Sequence, residues 1–185
     1  MIRSIALYPH PFLRQKVKKV SSINGEVRRL IHDMIETMHH AEGIGLAAPQ
    51  VLANARIFII QPDLDDDATL RIFINPEVLR LEGVPFLYEE GCLSIPTIRA
   101  KVKRPPQVTL RFQDLEGRSC EETFDDLAAR IIQHEYDHLN GILFIDRITS
   151  LKRRLLRKGL QQVSWGKVRP KYPHVLGMQI AQNAR

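Results

Sequence analysis

The sequence is poor in cysteine and contains no long hydrophobic run, and each of these absences excludes a class of protein. Two cysteines, Cys92 and Cys120, among 185 residues cannot form the disulfide framework of a small secreted domain. No apolar run approaches the roughly 18 residues of a membrane-spanning helix. Residues 1–9 contain no secretory hydrophobic segment. We therefore expect a cytoplasmic protein with no membrane partner.

Acidic residues are missing from the last part of the chain. Residues 147–185 contain ten Lys and Arg and neither Asp nor Glu. The other 17 basic residues and all 21 acidic residues precede them, so residues 1–146 carry a net charge of −4 although the whole chain carries +6. A cationic segment attached to an acidic body suggests a polyanionic partner such as RNA or a ribosome.

Among the motifs that are present, His134-Glu135-x-x-His138 lies inside a helical pattern. Residues four positions apart lie above one another on a helix, so both imidazoles can bind one metal ion. Glu135 lies beside them and can accept a proton from water. All three fall on the apolar helix face, where an unpaired carboxylate is costly, and this favours a hydrolytic metal site. That face comprises Phe124, Leu127, Ala128, Ile131, Ile132 and Leu139, and the opposite face comprises Asp126, Arg130 and Asp137.

The order of the other elements predicts an α+β fold. Strands and helices do not alternate regularly, so we expect mixed or antiparallel short β-sheets packed around a central metal-binding helix, with a C-terminal helix. We place a single catalytic domain at residues 1–164, including a basic helix at about 150–163, and an irregular tail at 165–185. The remaining elements expected are an extended or irregular lead at 1–23, a helix at 24–41, strands at 56–60 and 71–74, and a hairpin of 108–112 and 119–124.

A catalytic metal site needs a third protein ligand, and the residues offer three candidates. Asp146 is the acidic residue available after the motif helix, and His174 offers a nitrogen in the tail. Cys92 lies upstream, between a glycine and a β-like segment, and could contribute a thiolate. With Asp146 as the third ligand, the site would be that of a His-Glu-x-x-His metallopeptidase.

At this point the sequence resembles the peptide deformylase family, which is marked by three motifs in a fixed order. The motif Gly-Ile-Gly-Leu-Ala-Ala-x-Gln is present at residues 43–50, Glu-Gly-Cys-Leu-Ser-x-x at 90–96, and Gln-His-Glu-x-Asp-His-Leu-x-Gly at 133–141. Three motifs in order are far more specific than one alone. The resemblance extends over about residues 1–160 and implies a hydrolase that removes the formyl group from N-terminal formylmethionine of nascent polypeptides and releases formate.

The resemblance also implies the metal ligands and the metal. Cys92, His134 and His138 would bind one divalent ion, physiologically Fe(II), although nickel, cobalt or zinc can occupy such a site. The ligand types alone would suggest zinc. A nucleophilic Cys92 and a structural metal site are less consistent with the residues, because both histidines serve better as ligands and no fourth ligand accompanies the three.

The catalytic roles implied by the resemblance fall on residues in all three motifs. Glu135 would act as general base and acid. The Gln50 side chain and the backbone N–H of Leu93 would bind the oxyanion. Removing one such donor costs roughly 3 kcal/mol of transition-state stabilisation.

Substrate selection is expected to depend on an apolar pocket for the methionine side chain. The glycine motif and the motif helix must both border the metal, so Ile44, Leu127 and Ile131 are the candidates, and Gly45 permits close approach of backbone. Arg99 resembles the family arginine near the substrate backbone. Its alternative role is a surface salt bridge.

The basic C-terminal helix is expected to begin at Thr149 or Ser150. The resemblance suggests that it attaches the protein to ribosomal RNA, whereas a docked helix with a solvated charged face is the alternative. Two other functions remain open, a His-Glu-x-x-His metallopeptidase and a non-catalytic ribosome-binding homologue. The expected apolar side of this helix comprises Leu151, Leu155, Leu156 and Leu160, and the basic side comprises Arg153, Arg154, Arg157 and Lys158.

Overall fold

The computed structural model describes residues 1–177, which contain three α-helices and nine strands. Short 3-10 turns at Pro11–Arg14, Ala48–Val51, Asp67–Thr69 and Phe144–Asp146 connect them. In chain order the elements are β1 (Ile5–Leu7), α1 (Gly25–His40), β2 (Gly45–Ala47), β3 (Ile57–Ile60), β4 (Arg71–Glu82), β5 (Phe86–Cys92), β6 (Ile95–Arg104), β7 (Gln107–Gln113), β8 (Ser119–Phe124), α2 (Asp126–Leu139), α3 (Ser150–Ser164) and β9 (His174–Leu176).

The largest sheet is antiparallel, with the strand order β2-β3-β4-β7-β8. The interior strand β3, which lies between β2 and β4, is buried along its whole length because both faces of the sheet are covered there. Alternate residues of a strand point to opposite faces. Phe58 packs with α2 on one face, whereas Ile57 and Ile59 pack with α1 on the other. The expected α+β class, with small sheets around the central helix α2, is confirmed.

The helix α1 has the ends that the sequence predicted. The Asn24 side chain accepts a hydrogen bond of 3.0 Å from the Val27 N–H, which satisfies one free donor of the first turn. Ile31, Met34 and Met38 bury the apolar face of the helix against the sheet. Local capping and helical periodicity together define this element.

The hairpin of β5 and β6 forms a separate two-stranded sheet that the sequence analysis did not predict. Phe86, Leu87 and Tyr88 are consecutive and all exposed, so β5 lacks the apolar alternation of a half-buried strand. The register shifts where Cys92 pairs with Ile95, which leaves Leu93 and Ser94 in a tight turn. This turn carries the second motif into the centre of the molecule.

The face of α2 opposite the apolar one is buried at two of its three predicted polar positions. Arg130 and Asp137 are each 4% exposed, whereas Asp126 is exposed as expected. Both buried residues belong to a charged network. Asp137 accepts a 2.7 Å hydrogen bond from Arg104, and Arg130 donates to Glu90 at 3.3 Å. The helix therefore presents polar groups to a second layer, the β5–β6 hairpin, rather than to solvent.

The helix α3 begins at Ser150 with Thr149 as its cap. Its apolar side was only partly predicted, because Leu160 is buried but Leu151 and Leu155 are 68% and 76% exposed. Val163 instead completes the buried contact. Two leucines therefore remain on the outer surface beside the basic residues.

The chain after α3 includes regular structure where the sequence predicted an irregular tail. Strand β9 pairs in parallel with β1, with Ala6 opposite Val175. The lead at residues 1–23, for which the sequence predicted extended or irregular chain, contains the buried strand β1. The part of the predicted tail beyond residue 177 lies outside the described residues, and the domain limit at 164 stays a prediction. None of the helices within residues 1–177 has the length and apolarity to cross a membrane.

Candidate metal centre and substrate cavity

The structure brings Cys92, His134 and His138 together. One ligand atom from each lies within 4.8 Å of the other two. Residues 134 and 138 are one turn apart on α2, and their ring centroids are 5.0 Å apart. Cys92 arrives from the end of β5, and its Sγ lies 3.3 Å from His138 Nε2. The other third-ligand candidates, Asp146 and His174, are not part of this cluster.

Asp146 forms structural hydrogen bonds and ion pairs away from the Cys92, His134 and His138 cluster. Its carboxylate accepts hydrogen bonds from the guanidinium of Arg14, from Arg153 at 3.0 Å and from the Leu143 N–H at 2.8 Å. These contacts tie the turn after α2 to the N-terminal segment and to α3. The expected ligand of a His-Glu-x-x-His metallopeptidase is thus a structural residue in this fold.

Glu90 fixes the orientation of one histidine. Its Oε2 lies 3.0 Å from His134 Nδ1, and Arg104 donates to both carboxylate oxygens at 2.7 and 3.0 Å. Burial by itself would raise the pKa of Glu90, but the hydrogen bonds from His134 and Arg104 prevail and lower it to about 2. Because an ionised carboxylate only accepts hydrogen bonds, His134 carries its proton on Nδ1 and leaves Nε2 free for a ligand bond.

Glu135 lies beside the ligand cluster in a dry position. The residue is 4% exposed, and its Oε2 has no hydrogen-bond partner within residues 1–177. Burial raises the pKa of Glu135 to about 7, with a further increase from Glu90 that opposes the effect of His134. A carboxyl group with such a pKa can both accept and return a proton near neutral pH.

Gly45 gives Glu135 the room that it occupies. A Cβ atom at position 45 would lie 2.6 Å from Glu135 Oε1 and 2.7 Å from Ile131 Cγ2. Neither distance is tolerated by real side chains. The second glycine of the first motif is therefore required by the close approach of β2 to α2 at Glu135.

The Gln50 side chain is held in one orientation beside Cys92. Its Oε1 accepts a 2.8 Å hydrogen bond from the Ala47 N–H, and the residue is 1% exposed. The amide Nε2 therefore points inward, where it donates to Ser94 Oγ at 3.2 Å and lies 3.6 Å from Cys92 Sγ. A fixed amide donor beside the ligands can stabilise negative charge that develops there.

A cavity of about 560 Å³ opens over these groups. Gln50, Cys92, Leu93, His134 and Glu135 all line it. The five residues that the sequence suggested for substrate binding line it as well. Ile131 is buried, Leu127 and Gly45 are half-buried, and Ile44 and Arg99 are exposed.

Arg99 belongs to the cavity wall rather than to a surface ion pair. The side chain is exposed and forms no salt bridge with any residue in the range 1–177. The alkyl and guanidinium parts of Arg99 pass along Gly91, whose Cβ position is 3.5 Å from Arg99 Cγ. A guanidinium at the rim of the cavity can bind the backbone carbonyl groups of a peptide.

Several residues of the site were not found from the sequence. Glu90 stands inside the second motif, and a carboxylate two residues before a candidate ligand was a signal that could have assigned it. Tyr88 lines the cavity from the unpredicted strand β5. Val168, Arg169 and Tyr172 line it from the chain after α3, for which the sequence contained no signal.

Two imidazoles, a thiol and a buried carboxylate that open on a peptide-sized cavity define a metal-dependent hydrolase. Residues 2–154 match the family model described as polypeptide deformylase. The chain belongs to the polypeptide deformylase family. The family and the enzyme class expected from the three motifs are thereby confirmed.

Known relatives agree with this assignment. The peptide deformylase of Christiangramia forsetii is 40% identical over 185 aligned residues, covering 93% of this chain and 94% of the relative. That of Pseudothermotoga lettingae is 44% identical over 163 residues, covering 88% and 92%. The crystal structure of a peptide deformylase from Legionella pneumophila is 36% identical and superposes with a TM-score of 0.83, covering 91% of this chain and 99% of that one.

Proposed function

We propose that Cys92, His134 and His138 hold a metal ion at which the enzyme hydrolyses the formyl amide of N-formylmethionyl peptides. Membership in the family makes the protein a metal-dependent hydrolase that removes the N-terminal formyl group from nascent polypeptides. The observation that carries the site assignment is the approach of the three donor atoms to within 4.8 Å beside the buried Glu135.

The residues at this position suit a divalent metal. Burial lowers the pKa of His138 well below its ordinary value, and a neutral imidazole is the form that binds metals. Burial also disfavours the charged form of His134, but Cys92 and Glu90 reverse this and raise its pKa well above the ordinary value. Binding of a metal ion at His134 Nε2 would displace the second proton that this raised pKa favours on the ring. A divalent ion held there lowers the pKa of water towards neutrality and polarises a carbonyl oxygen.

Glu135 moves the proton in this proposal. Its carboxylate accepts a proton from the attacking water, which adds to the formyl carbon. The carboxyl group then gives the proton to the departing amine, so formate and a free N-terminus are released. The pKa of about 7 matches both halves of this transfer, because neither form of the group is strongly preferred near neutral pH.

Gln50 and Leu93 stabilise the negative charge on the formyl oxygen. The Gln50 amide is already oriented by the Ala47 N–H, so it does not have to reorganise during the reaction. The Leu93 N–H belongs to the turn between β5 and β6. Removing one donor of this type costs roughly 3 kcal/mol of transition-state stabilisation.

The cavity wall supplies the specificity. Ile44, Leu127 and Ile131 offer the apolar surface for the methionine side chain, and Gly45 lets the peptide backbone approach β2. Arg99, exposed at the rim, binds the backbone beyond the methionine. A peptide with a polar first side chain would lose the apolar contacts, which are worth about 0.8 kcal/mol per buried methylene group.

We propose Fe(II) as the physiological metal, with nickel, cobalt or zinc as substitutes. A thiolate and two imidazoles by themselves favour zinc, so the proposal of Fe(II) rests on the resemblance to the family. Anaerobic purification followed by elemental analysis identifies the metal. Zinc with full activity and no iron would reject the Fe(II) assignment.

Formate release tests the proposed reaction directly. Anaerobically purified protein is incubated with formyl-Met-Ala-Ser, and formate and metal content are measured on the same sample. We expect one metal ion per chain and turnover that disappears when the metal is removed by a chelator and returns when it is restored. A filled metal site without formate release would reject the function.

The ribosome is the proposed site of action, through α3, and a cytoplasmic location belongs to the same proposal. Arg154, Arg157 and Lys158 are exposed and form no ion pair within the described chain, whereas Arg153 is bonded to Asp146. Charge reversal at 154, 157 and 158 should abolish co-sedimentation with ribosomes at low salt, since phosphate contacts dominate such binding. Reversal of the exposed Lys101 and Lys103 on β6 is the matched control. Unchanged co-sedimentation of the α3 variant would reject this partner.

A further inference from the structure

The chain after α3 returns to the active site and makes a direct bond to it. The hydroxyl group of Tyr172 donates a 2.6 Å hydrogen bond to the backbone carbonyl of Leu93, 79 residues earlier in the chain. Val168, Arg169 and Pro170 line the same cavity as the metal ligands. The family match ends at residue 154, so this wall of the cavity lies beyond the part of the chain that the family model describes.

Strand pairing and packing hold Tyr172 in place. The Ile5 N–H donates to the Pro173 carbonyl at 2.9 Å, and β9 then pairs with β1. The Tyr172 ring packs against two of the three apolar clusters of the molecule. A side chain anchored on both sides presents its hydroxyl group in a fixed direction, which a loose surface tyrosine would not do.

The bond acts on the turn that contains the oxyanion donor. The carbonyl of Leu93 is held by Tyr172, and the next carbonyl, that of Ser94, accepts a 2.8 Å hydrogen bond from the Tyr8 N–H. The Ser94 side chain is in turn bonded by Gln50. These three contacts restrict the backbone dihedrals of Leu93 and Ser94, and so they determine where the Leu93 N–H points. Burial raises the pKa of Tyr172 above its ordinary value, so the hydroxyl group keeps its proton and remains a donor near neutral pH.

We propose that Tyr172 is a positioning residue for the reaction, which sets the direction of the Leu93 N–H through the Leu93 carbonyl. The proposal rests on the function assigned above, in which this N–H faces the formyl oxygen. The C-terminal segment 168–172 is accordingly a part of the active site. An N–H that is rotated away would stabilise the transition state less while the substrate still binds, because the apolar pocket is formed by other residues.

Tyr172→Phe removes the hydroxyl group and keeps the ring. We expect kcat for formyl-Met-Ala-Ser to fall about 10-fold, less than the 10²–10³-fold loss of a whole donor, while KM changes less than about twofold. Tyr8→Phe is the matched control, because its ring hydroxyl makes no hydrogen bond within residues 1–177 and its backbone N–H is retained. Metal content and the unfolding midpoint are measured for all three proteins.

Hydrogen exchange supplies a second readout that does not depend on turnover. Exchange at residues 90–96 should accelerate in Tyr172→Phe and stay unchanged in Tyr8→Phe. An unchanged kcat overturns the proposal, and so does a fall in activity that follows loss of metal or of the folded state. Failure of the assigned function is distinguishable, because the wild-type protein with its metal would then release no formate.

Discussion

The Nδ1 of His134 on α2 lies 3.0 Å from Oε2 of Glu90 on strand β5. The same carboxylate accepts from Arg104 and Arg130, so three donors meet at one buried anion. The general base, the ligands and the cavity all lie in front of this group. This charged network connects α2, which carries His134 and His138, to the β5–β6 hairpin, which carries Cys92.

Glu90→Gln should weaken metal binding. A neutral amide holds His134 less firmly than the carboxylate and carries no negative charge to compensate the positive charge of the metal ion. Loss of such a hydrogen-bond partner typically lowers metal affinity by about 10–100-fold. Competition with a chelator measures the affinity. Glu121→Gln, on the exposed strand β8, is the matched control and should bind metal like wild type. Equal affinities in the two variants would contradict the role of Glu90.

The third ligand can be decided with one pair of variants. Cys92→Ala should lose the metal and deformylation together, because two imidazoles alone bind a divalent ion weakly. Asp146→Asn should retain both, since Asp146 is bonded to Arg14, Arg153 and Leu143. Cys120→Ala is the control for cysteine removal. Loss of activity in Asp146→Asn with a folded protein, and retention in Cys92→Ala, would favour the metallopeptidase site instead.

Asp146 should also make the free energy of unfolding depend on pH in the acid range. Burial would raise the pKa of Asp146, but the bonds from Arg14 and the Leu143 N–H keep it below its ordinary value. A lowered folded-state pKa gives stability that is complete above the unfolded pKa of about 3.9 and is lost as pH falls through the folded pKa. Asp146→Asn should thus be about 1–2 kcal/mol less stable at pH 7, and its deficit should shrink below pH of about 4.

Denaturant unfolding at several pH values measures this effect. Asp125→Asn is the control, because the Asp125 side chain makes no capping hydrogen bond on α2. A deficit of Asp146→Asn that stays constant down to pH of about 3 would mean that the charge of Asp146 does not matter.

Gly45→Ala should impair catalysis more than folding. The new methyl group would lie 2.6 Å from Glu135 Oε1 and push the general base from its position. A displacement of about 1 Å can cost about 100-fold in rate, so we expect kcat to fall by about 10–100-fold. Gly25→Ala is the control, because no atom lies within 4 Å of its Cβ position. Steady-state kinetics and circular dichroism measure the two effects, and a fully active Gly45→Ala enzyme would contradict the steric argument.

Much of the local structure was predictable because it depends on neighbours in the sequence. Asn24 and the apolar spacing after it determined α1 within one residue at each end. The β7–β8 hairpin followed from two β-branched runs and the turn residues between them. The pair His134 and His138 was certain to share a face as soon as the segment was helical. The order of three motifs was sufficient for the family.

Contacts between distant elements were not predictable in this way. The sequence predicted only that Arg130 and Asp137 lie on the face of α2 opposite the apolar one. Helical periodicity describes how residues are arranged around one helix, and it contains nothing about a charged partner on another element. Arg104 and Glu90 provide that partner. Leu151 and Leu155 were assigned to the core for the same reason, although α3 docks through Leu160 and Val163.

The sequence by itself determined the reaction class, since two imidazoles and a carboxylate on one helix turn need only local geometry to meet. Only the tertiary structure decided what surrounds them. It brings Cys92 to His138 across 46 residues and Tyr172 to Leu93 across 79. These contacts depend on how sheets and helices pack, and packing is specified by the whole core rather than by any one segment.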